Sequence, residues 1–103
     1  MPPGTLYMLI LKTLQKSSLH GYAIAQRIHL ISDDVLRIEE GSMYPALQRM
    51  LIKGWVTSEW GESETGRRVR FYKITAAGRK QLGNEVSEYD RVTKAIYKVI
   101  EPS

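Results

Sequence analysis

Residues 55–74 interrupt a chain whose apolar residues otherwise recur at helical spacing. Trp55 to Trp60 is rich in aromatic and β-branched residues, and Val69 to Ile74 is a second such run. Between them lies Gly61-Glu62-Ser63-Glu64-Thr65-Gly66, polar and bounded by glycines. This reads as a β-hairpin with an exposed tip. Arg67, Arg68 and Arg70 stand at the start of its second strand, and Tyr72 and Ile74 are expected to face inward.

Three helices are predicted before the hairpin. Thr5 can cap the first, which runs to about Lys16. Its residues Leu6 to Leu11 are consecutively apolar, so more than one face should be covered, by the chain's own domain or by a second subunit. After a short connection at Ser17-Ser18-Leu19, a second helix spans about His20 to Ser32, with Ile24, Ile28 and Ile31 as its core stripe. Gln26, Arg27 and His29 fall outside that stripe, and Asp33-Asp34 favours a turn.

Gly41 and Ser42 open a third helix, with Ser42 as cap, Pro45 in the first turn and Gly54 closing it. Met43, Leu47, Met50 and Leu51 share one face. Tyr44, Gln48 and Arg49 lie on another, with Ser42 at the start and Lys53 at the end. Beyond the hairpin, Thr75 caps a helix from about Ala76 to Ile100. Leu82, Val86, Tyr89, Thr93, Ile96 and Ile100 alternate in steps of four and three, an a/d seam. A helix of about 25 residues at roughly 1.5 Å each reaches about 37 Å, longer than so small a domain needs. A partner helix is therefore expected on the seam in preference to folding back.

The chain has 103 residues, which fits one domain, with 43% hydrophobic and 25% charged residues, ordinary values for a folded soluble chain. It has no cysteine, which excludes disulfides, thiol catalysis and cysteine zinc sites and fits a cytoplasmic protein. The longest apolar run, Leu6 to Leu11, is far short of a membrane span, and the opening Met-Pro-Pro-Gly lacks the basic region of a signal peptide. His20 and His29 are not at metal-pair spacing, and there is neither a Ser/His/acid grouping nor a glycine-rich phosphate loop. Gly61 and Gly66 flank acids that would repel phosphate. No metal, cofactor or enzymatic activity is expected.

The net charge is +4. Its distribution says more than its sum. From Thr65 to Asn84 there is no acid, while Arg67, Arg68, Arg70, Lys73, Arg79 and Lys80 fall in that stretch. Acids lie outside it, among them Asp33, Asp34, Glu39, Glu40 and those from Glu59 to Glu64. A basic hairpin of this kind suits contact with phosphates.

Helix, helix, helix, hairpin is a winged helix-turn-helix order: an α+β fold, mainly α, with three helices, a two-stranded wing and a long C-terminal dimerisation helix. The first residues of such a third helix reach base edges in the major groove, and the wing lies along the backbone or minor groove. Residues 1–75 are expected to form the DNA-binding domain and 76–103 the dimerisation helix, as one compact unit. A winged-helix protein-interaction module without DNA binding is the alternative, and the clustered arginines argue against it.

The residues also resemble a known family. His20-Gly21-Tyr22-Ala23-Ile24 resembles the opening of the second helix in PadR regulators, and Gly41-Ser42-Met43-Tyr44-Pro45-Ala46-Leu47 resembles their recognition-helix signature. Gly54-Trp55-Val56 and Gly66 to Thr75 resemble their wing, and Ala77-Gly78-Arg79 the start of their C-terminal helix. The likeness covers roughly residues 5–82, and the single C-terminal helix resembles the short subfamily. It implies a homodimer, joined partly through C-terminal helices, that binds a partly palindromic double-stranded DNA operator, usually to repress. By position it implies Ser42, Tyr44, Pro45 and Gln48 in the recognition helix, with Arg49 beside them, and Arg67, Arg68 and Arg70 in the wing. Some members bind aromatic or cationic drugs between subunits, stacking them on a C-terminal-helix tryptophan. Here the tryptophans are Trp55 and Trp60, so Tyr89 and Tyr97 are the candidates for a small aromatic effector.

Overall fold

The computed structural model describes residues 3–102. Its elements are α1 (Pro3–Thr13), β1 (Leu19–His20), α2 (Gly21–Ile31), α3 (Glu40–Ile52), β2 (Val56–Glu62), β3 (Arg68–Ile74) and α4 (Ala76–Ile100). The core gathers the apolar face of every helix onto one face of the sheet. Leu6, Tyr7, Ile10, Leu11 and Leu14 of α1 meet Ile24 and Ile28 of α2, Met43, Ala46, Leu47 and Met50 of α3, Val56, Tyr72 and Ile74 of the sheet, and Leu82 of α4. α1 packs against α2, α3 and α4 of its own chain, which accounts for the burial of Leu6, Tyr7, Ile10 and Leu11 in its apolar run, while Met8 and Leu9 stay half-buried. Truncating to alanine one of the fully buried residues Ile10, Leu11, Leu14, Ile24, Leu47 or Met50 costs about 2–5 kcal/mol.

The hairpin extends further than expected, because Gly61 belongs to β2 rather than to the turn. It lies opposite Val69, and a Cβ on it would stand 2.8 Å from the Phe71 ring, which covers it. The turn is built by Ser63 to Arg67: Gly66 N donates to Ser63 O at 2.9 Å, and Ser63 N donates to Arg67 O at 2.8 Å. Gly66 closes it at φ +78°, where a side chain would be strained. Tyr72 and Ile74 do face the core.

Several expectations fail for identifiable reasons. The predicted connection at 17–19 contributes a third strand. Leu19 and His20 pair antiparallel with Tyr72 and Phe71, giving the order β1-β3-β2. Two residues are too few for an alternating pattern to register in the sequence. Helix α1 starts at Pro3 and ends at Thr13, so Thr5 lies inside it and Lys16 beyond it. Ser42 is not the cap of α3. The cap position is Glu39, which makes no side-chain cap bond, and Ser42 sits in the first turn with its amide donating to Glu39 O. Pro45 consequently falls in the second turn, where Gly41 O receives no backbone amide from it. Ile31 is exposed rather than in the core, because α2 ends there and the chain turns away. Leu51 is half-buried.

That turn is a helix cap of an unusual composition. Asp34 N donates to His29 O and Asp33 N to Leu30 O, the paired bonds of a Schellman motif, with Asp33 at φ +53° in the position glycine normally takes. The end of α3 uses the ordinary version. Trp55 N donates to Met50 O, Gly54 N donates to Leu51 O, and Gly54 has φ +74°.

The cap of α4 locks three elements together. Thr75 Oγ1 accepts from Gly78 N at 3.0 Å and donates to Gly54 O at 2.7 Å, while Thr75 N donates to Trp55 O at 3.0 Å. Gly78 packs so closely on this corner that a Cβ would stand 2.1 Å from Trp55 O. α4 stays beside the first turn of α1 as far as Glu85, whose carboxylate lies against Gly4, and beyond it is mostly exposed; the molecule measures 56 × 29 × 23 Å.

Candidate nucleic-acid interface

The outer face of α3 carries two distinct rows of exposed side chains. Glu40, Tyr44 and Gln48, spaced by four, look into a groove of about 870 Å³ between α3, the start of α2 and the wing. Ser42, Pro45 and Arg49 lie round the helix, lining a smaller hollow of about 350 Å³ with Leu6, Arg37 and Ile38. The five residues expected to act together in recognition are thus divided. Arg49 is held as well: its Nε donates to the Tyr7 hydroxyl at 2.7 Å, and its guanidinium lies 5.7 Å from that ring's centre. One edge of Arg49 is engaged within the fold, whereas Gln48 reaches solvent.

Tyr44 combines packing with exposure. Its ring rests on Gly21, where a Cβ would stand 3.0 Å from Tyr44 Cε1, yet the residue is 45% exposed. The missing side chain at Gly21 lets the first turn of α2 approach α3 and aims the tyrosine into the groove. Tyr22 follows, exposed, with its ring stacked at 6.4 Å on His20, which in turn meets the Phe71 edge at 5.5 Å. No local pattern in the sequence places His20 or Tyr22 at the site. The short strand that brings β1 beside β3 is what places them there.

The wing supplies the opposite wall. Along β3, Arg68, Arg70, Tyr72 and Ile74 share one face, which passes from solvent at the tip to core at the base. Arg67, Arg68 and Arg70 are all exposed. Among the described residues the ion pairs are His29 with Asp34 at 3.0 Å and Glu88 with Arg91, so no wing arginine is engaged by a carboxylate. Burial pushes the Tyr72 hydroxyl above its ordinary pKa, against the opposing pull of the Arg70 guanidinium. Trp60 faces Arg70 across the ladder and is 55% exposed. In the sequence Trp60 is ordinary strand content; strand register puts it at the site.

The candidate interface between subunits lies elsewhere. On α4, Val86, Tyr89, Ile96 and Ile100 are exposed and Thr93 is half-buried, while Leu82 is buried in the chain's own core. The part of the seam open to a partner therefore begins at Val86. Tyr89 and Tyr97 both reach solvent. Among the described residues no group of His, Cys, Asp and Glu is arranged to hold a metal, and no helix is long and apolar enough to cross a membrane.

Comparison with known proteins agrees with this architecture. A transcriptional regulator from Clostridium thermocellum matches with a TM-score of 0.87 and 28% identity, covering 95% of this chain and 95% of that one. A PadR family transcription regulator from Clostridium difficile matches with a TM-score of 0.76 and 28% identity, covering 93% of this chain and 98% of that one. A Lysinibacillus sphaericus protein is 28% identical over 93 residues, or 90% of this chain and 85% of the relative. The model of the PadR-like transcriptional regulator family matches residues 10–84. On that match and that fold, the chain belongs to the PadR-like family of winged-helix transcriptional regulators.

Proposed function

We propose that this regulator binds double-stranded DNA sequence-specifically and acts as a homodimeric repressor on a partly palindromic operator. The observation that carries this reading is the groove itself. Tyr44 and Gln48 of α3 face Arg67 and Arg70 of the wing across it, and those arginines have no carboxylate partner among the described residues. In this arrangement Gln48 reads base edges, Tyr44 and the arginines hold the backbone, and α3 enters the major groove. Ser42, Pro45 and Arg49 contact the flanking backbone from the other side of the helix. Residues 1–75 act as the DNA-binding unit. The apolar residues that α4 leaves uncovered from Val86 onward support a partner helix, which sets the spacing of two half-sites. A small aromatic effector would meet Tyr89 and Tyr97 on that same helix.

The test is binding to a duplex from upstream of the chain's own gene, at two salt concentrations, with a scrambled competitor. Affinity that survives competitor and falls with salt is expected. Arg67→Ala with Arg68→Ala should weaken binding to every sequence and reduce the salt slope by about 0.9 per lost phosphate contact. Gln48→Ala should chiefly change which sequence is preferred. Absence of binding at low salt would replace this reading with that of a protein-interaction module.

A further inference from the structure

Trp60 has no part in the core and, among the described residues, is the large aromatic of the wing that is left exposed. Its ring lies 5.0 Å from the Arg68 guanidinium carbon and 5.2 Å from that of Arg70. Register explains the arrangement. Arg70 is directly opposite Trp60, and Arg68 is two residues further along the same face, about 6.6 Å away along the strand. Two like charges this close repel each other, and Glu62, opposite Arg68, makes no ion pair with it. The electron-rich indole attracts both cations to one surface and leaves their N–H edges free.

We propose that Trp60 is a positioning residue for DNA binding, holding Arg68 and Arg70 as a preformed pair of donors for phosphate oxygens. The proposal rests on the DNA-binding reading above and adds a specific role for the indole. An exposed arginine samples many rotamers, and ordering two of them on binding lowers affinity. The indole orders them beforehand. It carries no charge, so its removal changes affinity without changing how many counterions binding releases.

Two measurements test this. The first needs no DNA. In NMR spectra of the free protein, the Arg68 and Arg70 side-chain protons should be shifted upfield by the indole ring current, and the shifts should vanish in Trp60→Ala. Unshifted protons in the parent protein would overturn the proposed geometry, whatever the chain binds. The second follows fluorescence anisotropy of a labelled random-sequence duplex across a salt series, with melting curves confirming that each variant is folded. Trp60→Ala should bind about tenfold more weakly with an unchanged salt slope, as expected from two freed side chains. Trp60→Phe should recover most of the loss, and Arg68→Ala should lower the slope. Parental affinity in Trp60→Ala would overturn the proposal, as would a loss accompanied by a flattened slope, which would mean that the indole supports the wing rather than the arginines. If the parent protein bound no duplex at low salt while the ring-current shifts were present, the DNA-binding reading would fail and the positioning role with it.

Discussion

The corner where α4 begins makes a prediction in which one substitution, placed twice in the same helix, should have opposite signs. Gly78 and Gly83 both lie in α4. Glycine inside a helix is less favourable than alanine by about 0.8–1 kcal/mol, so propensity alone favours replacing both. At Gly83 a Cβ would meet nothing within 4 Å, and Gly83→Ala should stabilise by about 0.5–1 kcal/mol. At Gly78 it would stand 2.1 Å from Trp55 O and 2.8 Å from Ile74 Cγ1, where real contacts essentially never fall below 3.0 Å. The nearest obstacle is backbone, and it is bonded to Thr75 N. Relief requires α4 to move away from Trp55 and the end of β3. Overpacking of this kind costs about 1–3 kcal/mol. Losing one bond of the Thr75 cap adds about 1 kcal/mol. Against the propensity gain, Gly78→Ala should be less stable by about 2 kcal/mol, or about 10 °C in Tm for a domain this size. Thermal melts at one fixed protein concentration measure both variants, since association of the chain would make Tm concentration-dependent. A Gly78→Ala protein as stable as its parent would refute the argument that close approach dictates this glycine.

Other expectations follow from single features. Asp33→Gly removes the strain of a non-glycine residue at φ +53° and leaves the His29–Asp34 contact in place, so it should stabilise by about 0.5–1 kcal/mol in urea titration. Tyr72 holds its proton more tightly in the folded chain, so its contribution is intact below the unfolded value near 10 and is lost as pH rises through the higher folded value. Tyr72→Phe should therefore lose less stability than the parent between about pH 9 and 11, as read from denaturant midpoints. On the homodimer proposed above, Ile96→Glu places a charge on the exposed seam of α4 and should yield monomers in sedimentation, and a dimer unchanged by it would overturn the assignment of α4 to the interface.

Much of this molecule was legible in the chain because its signals are local. The span of α4, the cap at Thr75, the closing glycine of α3 and the inward side of β3 all follow from residues within a few positions of each other. So does the unbalanced charge of the wing, since a run without acids stays basic in any fold. What escaped depended on contacts distant in sequence. β1 exists because Leu19 and His20 find Tyr72 and Phe71, and no two-residue pattern announces such a pairing. Ser42 looks like a cap, yet tertiary packing starts α3 at Glu40 and gives the cap position to Glu39. Arg49 reads as another polar residue of the recognition face until α1 brings the Tyr7 hydroxyl to it. Strand register likewise turns Trp60 from strand content into the surface on which two arginines rest. Which side chains are apolar, charged or permissive, and at what period they recur, can be read along the chain. Which of them meet is a property of the fold, because a contact between distant residues depends on the path of the whole chain between them.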